Sequence, residues 1–299
     1  MRTPVPRPST EQQDARRLFL KIRSKYPAMT RASRKIADYI LANYEDTKFL
    51  SISSLAEKIN VSESMITKFV RLLGIRGYQD FKVRLALSQQ HNARSEEIFG
   101  EVSLDDDAEA ICRTIFTNNM ETLRDSLSVL NFRDIDRAAE MIARARRVEF
   151  YGSGGSAIPL ANAEARFLRI GIPCVAISDS HVQLMSASLL GRQDTAVAVS
   201  NSGRSTSVVE ALETAKKAGA ATICITNFEE TPLTAHADVK LFTSSRDVDR
   251  MSENLHSRIA EIALIDSLYV ITASKMKARA LGNLKTTADI IRRHRISAK

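Results

Sequence analysis

The chain has 299 residues, of which 44% are hydrophobic and 26% charged, enough for one or two globular domains with cores of their own. No apolar run approaches the ~18 residues of a membrane span, and the start MRTPVPRPSTEQQ lacks a secretory apolar core, so a cytoplasmic protein with no membrane partner is expected. The net charge of +8 is uneven, with 18 Lys/Arg against 8 Asp/Glu in residues 1–95, 17 against 26 in 96–274, and 8 against 1 in 275–299, so a polyanionic partner is expected for the head alone.

In chain order, Pro4, Pro6 and Pro8 mark a flexible arm. A helical pattern follows from about Thr10 to Tyr26 and stops at Pro27. Thr30 is a natural N-cap for the next helix, which carries Ile36, Tyr39, Ile40 and Tyr44 on one face. Leu55 and Ile59 then form a short apolar face, Asn60 to Ser62 supply turn chemistry, and Ser62 caps another helix. There Ile66, Phe69, Val70 and Leu73 recur at i, i+3, i+4, i+7, an inward stripe, while Ser64, Thr67, Lys68 and Arg71 fall on the opposite side at ~100° per residue. A short helix, a tight turn and a helix with a small-polar and basic outer face is the helix-turn-helix pattern. That face can donate to phosphates or base edges of double-stranded DNA. Gly74 ends the helix as a C′ residue, and Arg76, Lys82 and Arg84 flank it.

Beyond the head, Asp105, Asp106 and Asp107 precede a helix bearing Ile111, Ile115, Met120, Leu123 and Leu127, and another helix spans Arg133 to Arg144. Short apolar strands then alternate with helices. The strands are Val148–Tyr151, Pro173–Ile177, Thr195–Ser200, Ala221–Thr226 and Asp238–Phe242; the helices lie near 156–170, 181–190, 205–218 and 253–272. Such alternation predicts a parallel five-stranded sheet covered on both faces, an α/β domain of αβα sandwich type behind an all-α head. The expected domains are 1–90 for the head, 91–130 for a linker and leading helix, 131–275 for the α/β domain, and 276–299 for a basic tail. In that tail Arg292, Arg293 and Arg295 either touch DNA or, the preferred reading, form a solvated, frayed end. Cys112, Cys174 and Cys224 are odd in number and lack CxxC or Cys/His spacing, so they read as reduced core thiols, with no metal and no cofactor.

Ligands in open parallel sheets bind beyond the carboxyl ends of the strands. Two such ends carry matching features: the GSGGS loop, Gly152–Ser156 with Gly154 and Gly155, and SNSGRS, Ser200–Ser205 with Asn201 and Ser202. Hydroxyls and free N–H groups at helix starts hold a phosphate dianion without a formal counter-charge. Arg204 either adds one or faces solvent. The first loop is a poor dinucleotide fingerprint, since the sixth residue of the pattern is Ala157 and no acid closes the next strand at Ile177; no GK[ST] makes it a P-loop.

The stretches VEFYGSGGSA, DTAVAVSNSGRSTSVVEAL, GAATICITN and TPLTAHAD resemble the SIS (sugar isomerase) domain. LAEKINVSESMITKFVRLLGIRGYQDFK resembles the helix-turn-helix head of RpiR/MurR-family transcription regulators, which join that head to an SIS domain. The resemblance covers residues 15 to 275. It implies that Ser156, Ser200, Ser202 and Ser205 hold the phosphate of a phosphosugar or phosphorylated sugar acid, with Asn201 donating from within the loop. Met65 stands where the family often has Thr, and Lys68 where it often has Arg; Lys is a point charge, so base readout there is looser.

An SIS isomerase needs an acid/base group within reach of the sugar carbons. Glu253, His256, His181 and Glu230 are the candidates, but none sits in a motif that demands catalysis. With a DNA-binding head attached, the economical reading is a non-enzymatic sensor, a homodimer or homotetramer reading a pseudo-palindromic operator. The alternative is a phosphosugar isomerase.

Overall fold

In the computed structural model, residues 18–19, 21–22, 24–26, 29–86, 102, 106–245 and 256–293 are described, and they belong to two compact units, 1–97 and 98–299. In the first unit the Thr30 hydroxyl accepts from the Ser33 amide at 3.3 Å and starts α1 (Arg31–Ala42). Ile36 and Ile40 are buried as the spacing requires. Tyr44, expected on the same helix, opens a separate short turn, α2 (Tyr44–Thr47). Asn43 leaves the helical region (φ −130, ψ 38), and its backbone and side-chain N–H groups both close on the Tyr39 carbonyl, at 2.8 and 3.0 Å, so the helix ends there. Residues 18–19, 21–22 and 24–25 are helical as expected; the preceding residues 10–17 lie outside the described residues, as does the Pro-rich arm.

Helices α3 (Ile52–Ile59) and α4 (Glu63–Leu72) follow, each N-capped by a serine: Ser51 accepts from the Ser54 amide at 3.0 Å, and Ser62 from the Met65 amide at 3.4 Å. Both end in the same paired bonds. Val61 N–H reaches the Ala56 carbonyl and Asn60 N–H the Glu57 carbonyl; likewise Ile75 reaches Val70 and Gly74 reaches Arg71. These closures place Asn60 (φ 56) and Gly74 (φ 71) in the left-handed region, which short polar residues and glycine adopt at least cost. Helix α5 (Tyr78–Ala86) closes the bundle over a core of Leu55, Ile59, Ile66, Phe69, Val70, Leu73 and Phe81.

The second unit begins with α6 (Ala108–Val129), capped by Asp107, whose carboxylate accepts from the Ala110 amide at 2.8 Å, and α7 (Phe132–Arg144). There follow β1 (Arg147–Tyr151), a single 3-10 turn at Gly154–Ser156, α8 (Ala157–Arg169), β2 (Cys174–Ile177), α9 (Ser180–Ser188), β3 (Asp194–Val199), α10 (Thr206–Lys217), β4 (Ala221–Thr226) and β5 (Val239–Phe242). The last two described helices are α11 (Ser257–Met276) and α12 (Ala278–Arg293). All strand pairs are parallel, in the order β2-β1-β3-β4-β5. Strand residues alternate between two cores. Val148, Phe150, Val197, Val199, Ile223 and Ile225 pack with residues of α7, α8 and α11, while Tyr151, Ala196, Ala198 and Cys224 pack with residues of α9 and α10. The result is the expected sandwich, because a sheet buried on both faces needs apolar residues at both parities.

Cys112 and the C-terminal segment also depart from what the sequence predicts. Cys112 is an exposed thiol on α6, and only Cys224 is fully buried. On α6 the buried positions are polar, Asn118, Thr122, Asp125 and Ser126, whereas Met120 and Leu127 are exposed. Residues 278–293 are a docked helix rather than a frayed end: Asn283 donates to the Ile170 carbonyl at 2.9 Å, and Ala280 is buried in the core. Gly171 (φ +80) permits that approach, since a Cβ there would collide with the Asn283 amide. Arg292 and Arg293 are exposed at its end, and Arg295 lies outside the described residues.

Candidate functional site

On α4 the inward stripe Ile66, Phe69, Val70, Leu73 is buried, and Ser62, Ser64, Lys68 and Arg71 are exposed on the far side with Thr67 half-buried. The helix therefore presents two cations and small polar groups to solvent, and Arg76 is exposed just past its Gly74 stop. Two of the hydroxyls already serve the backbone. Ser62 caps the helix and bonds to Ser64 Oγ at 2.8 Å, and Thr67 Oγ1 donates to the Glu63 carbonyl at 3.0 Å. Ser53 Oγ donates to the Glu63 carboxylate, which ties α4 to α3 and fixes the angle of the helix pair.

In the second unit, β1 and β3 are neighbours, with Tyr151 opposite Ala198, so the loops after them leave the same edge of the sheet side by side. From β1 the chain passes outward to β2, and from β3 the other way to β4 and β5, so this edge is the topological switch point. Gly152 is wedged there: a Cβ would press on Leu160 Cδ1, the Ser156 carbonyl and the Val199 carbonyl. Gly154 turns with φ +56. Ser156 precedes α8 yet its hydroxyl makes no cap bond. Past β3, Ser200 Oγ lies 3.1 Å from Ser205 Oγ, Ser202 Oγ accepts from the Arg204 amide at 3.2 Å, and Ser205 precedes α10 without a side-chain cap bond. Gly203 (φ +62) is buried against Thr231, with no room for a Cβ. Neither helix start thus has a side-chain cap: at α8 the Ser156 and Ala157 N–H groups are taken up by the 3-10 turn, while α10 opens directly behind the half-buried Ser205, and a helix start of that kind suits an oxyanion.

Asn201, expected to donate from within the loop, is held in place through its acceptors. Its Oδ1 accepts from Ser245 Oγ at 3.3 Å, and its carbonyl accepts from the Asn227 amide and Thr226 Oγ1, which pins the loop to the end of β4. Arg204 is exposed. Among the acid/base candidates, His181 and Glu230 are exposed, His256 is buried with Nδ1 2.8 Å from Asn119 Oδ1, and Glu253 lies outside the described residues. Asp179 caps α9 through the His181 and Val182 amides at 3.0 and 2.9 Å. Among the described residues no group of three or more His, Cys, Asp or Glu could hold a metal ion.

Two residues absent from the sequence reading shape the first loop. Gln183, fully buried on α9, donates Nε2 to the Gly152 carbonyl at 2.9 Å and to the Ile177 carbonyl at 2.8 Å, which locks the loop to the end of β2. Arg258, in the first turn of α11, lays its guanidinium over Gly155: the position of a Cβ there is 2.9 Å from Arg258 Nε. A formal positive charge therefore stands beside the glycine turn. Neither residue belongs to a local motif, so no window of sequence could have flagged it.

Comparison with known proteins agrees with this architecture. The helix-turn-helix domain, rpiR family, matches residues 17–92, and the SIS domain matches residues 141–271. An uncharacterized HTH-type transcriptional regulator of Caldanaerobacter subterraneus is 35% identical over 276 residues, 92% of this chain and 97% of its own. The HTH-type transcriptional regulator RpiR of Escherichia coli K12 is 32% identical over 271 residues, 90% of each chain. Among solved structures, the Vibrio vulnificus NanR protein complexed with ManNAc-6P matches with a TM-score of 0.59 at 25% identity, covering 92% of this chain and 97% of that one. The head with its exposed basic helix, the five-stranded parallel sheet with its paired serine turns, and these relatives make the chain a member of the RpiR family of helix-turn-helix transcriptional regulators that carry an SIS domain.

Proposed function

We propose that this regulator binds operator DNA through α4 and that a phosphorylated sugar or sugar acid, held in the SIS domain, modulates that binding. Ser64, Thr67, Lys68 and Arg71 would face the duplex, with Ser62 positioning the helix start and Arg76 at its flank. Ser156, Ser200, Ser202 and Ser205, with the amides at Gly154 and Gly155, would hold the phosphate, and Arg258 would supply a counter-charge. Asn201 would donate from within the second turn, which its acceptors hold to the end of β4. The observation that carries the reading is the pair of serine turns at adjacent strand ends, each opening a helix that no side chain caps. A dianion there would meet the positive end of two helices and the serine hydroxyls beside them.

The effector can act only by binding one arrangement of the assembly better than another. Paired heads on a pseudo-palindrome require a homo-oligomer, dimer or tetramer. The proposed domain division is 1–90, 91–130, 131–275 and 276–299, with the last part a helix through Arg293. We assign no catalysis: His256 is buried against Asn119, and His181 opens α9 at the surface. No helix among the described residues is long and apolar enough to cross a membrane, which fits cytoplasmic work on DNA.

The direct test is a thermal-shift screen of phosphorylated sugars, ManNAc-6P among them, on the wild type and on Ser200→Ala/Ser202→Ala. A ligand raises the melting temperature of the wild type by mass action. The double variant should lose that shift and the ligand's effect on DNA while keeping DNA affinity. A variant that still responds would put the phosphate elsewhere, and turnover of any sugar tested would make the protein an enzyme.

A further inference from the structure

The second serine turn is tied to a residue 44 positions further along the chain, Ser245, which lies just past the end of β5. Asn201, between Ser200 and Ser202, accepts at Oδ1 from Ser245 Oγ at 3.3 Å. Its backbone carbonyl accepts from the Asn227 amide at 3.0 Å and from Thr226 Oγ1 at 3.1 Å. Asn227 then closes a ring: its Nδ2 donates to the Ser245 carbonyl at 3.0 Å, and its Oδ1 accepts from the Ser245 amide at 2.8 Å. Three segments thus hold one another through backbone and side chain, and Ser245 and Asn227 are both buried. The adjoining Ser244 is clamped from α6 by Ser126, whose hydroxyl donates to the Ser244 carbonyl at 3.1 Å and accepts from its amide at 2.9 Å.

A side-chain amide has a donor end and an acceptor end of nearly the same shape, so its polar neighbours decide which end points where. With Oδ1 of Asn201 taken by Ser245, Nδ2 is the end left over, and it makes no hydrogen bond among the described residues. We infer that Ser245 is a positioning residue for the effector site: by holding Oδ1 it reserves the donor end of Asn201 for the phosphate between the serine turns. The inference rests on the anion-binding role proposed for those turns. Without that hold the amide can turn end for end about χ2, a soft torsion, and its oxygen would then face the dianion and repel it. The ring with Asn227 and the clamp from Ser126 fix Ser245 before any ligand arrives, so little binding energy is spent on ordering Asn201.

The test is a double-mutant cycle on the full chain, read by calorimetric titration with ManNAc-6P and with inorganic phosphate as a second probe. In the wild-type background Ser245→Ala should weaken binding about fivefold to tenfold, the worth of one misdirected hydrogen bond. In the Asn201→Ala background the same substitution should change affinity by less than about twofold, because no amide is left to orient. Equal losses in the two backgrounds would overturn the inference and leave Ser245 merely structural. If Ser245→Ala fails to fold, the side-chain ¹⁵N resonance of Asn201 in the wild type gives the answer. A shift of that NH2 group on saturation with the probe supports the inference, and an NH2 group unmoved while the Ser202 amide shifts refutes it. Failure of the wild type to bind either probe would instead remove the anion site itself, and the inference with it.

Discussion

The basic face of α4 and the serine turns at the strand ends both offer positive potential to a phosphate, but they are built in opposite ways. On α4 the charge is carried by the tips of exposed side chains, Lys68 and Arg71, on a helix whose other face is buried. At the strand ends it comes chiefly from backbone N–H groups and hydroxyls fixed by close packing at Gly152 and Gly203. Flexible cations suit a long polyanion read at many points and screened by salt. A preorganised cradle suits a single small dianion, whose binding energy is not spent on ordering side chains. The difference teaches that the head should tolerate loss of single contacts, whereas the cradle should fail from one added methyl group.

The largest effect that separates the two regions comes from the head's core. Phe69→Ala removes a fully buried ring and should cost about 3–5 kcal/mol, enough to unfold a marginal head. Operator binding should vanish while the phosphosugar still raises the melting transition of the second unit, as read by calorimetry. Loss of both would deny the two units their independence. Next, Lys68→Ala with Arg71→Ala should leave the fold intact and lower the slope of log affinity against log salt by about one per cation, measured by fluorescence anisotropy at several salt concentrations. An unchanged slope would take α4 off the duplex. Gly203→Ala sharpens the contrast from the other side. A side chain at φ +62 costs about 1–2 kcal/mol and meets Thr231 as well, so effector binding should drop sharply with DNA affinity unchanged. The smallest effect is that of Ser62→Ala, which deletes the cap of α4 and should lower the head's stability by about 1 kcal/mol in urea unfolding.

The two regions also differ in how well the sequence exposes them. The stripe Ile66, Phe69, Val70, Leu73 and the stop at Gly74 are local signals, and they give α4 nearly to its ends. Strand order could not be read that way, yet alternating apolar strands and helices sufficed to place both serine turns at carboxyl ends. The misreadings concern long-range burial. The chain leaves the helix at Asn43, a break that apolar periodicity does not register. Asn118 and Thr122 are buried on α6 while Met120 and Leu127 are exposed, and α12 docks on Gly171 through Asn283, a residue of no pattern at all.

What the sequence determined by itself was the class of each part, because helix and strand periods, caps and glycine turns act within a few residues of one another. What only the tertiary structure decided was which side chains meet. Arg258 reaches Gly155 from more than a hundred residues away in sequence, and Gln183 ties Gly152 to Ile177. These depend on the order of strands and the docking of α11. Hydrophobic burial drives both, and since it is non-directional it leaves no local mark on the polar residues it brings together.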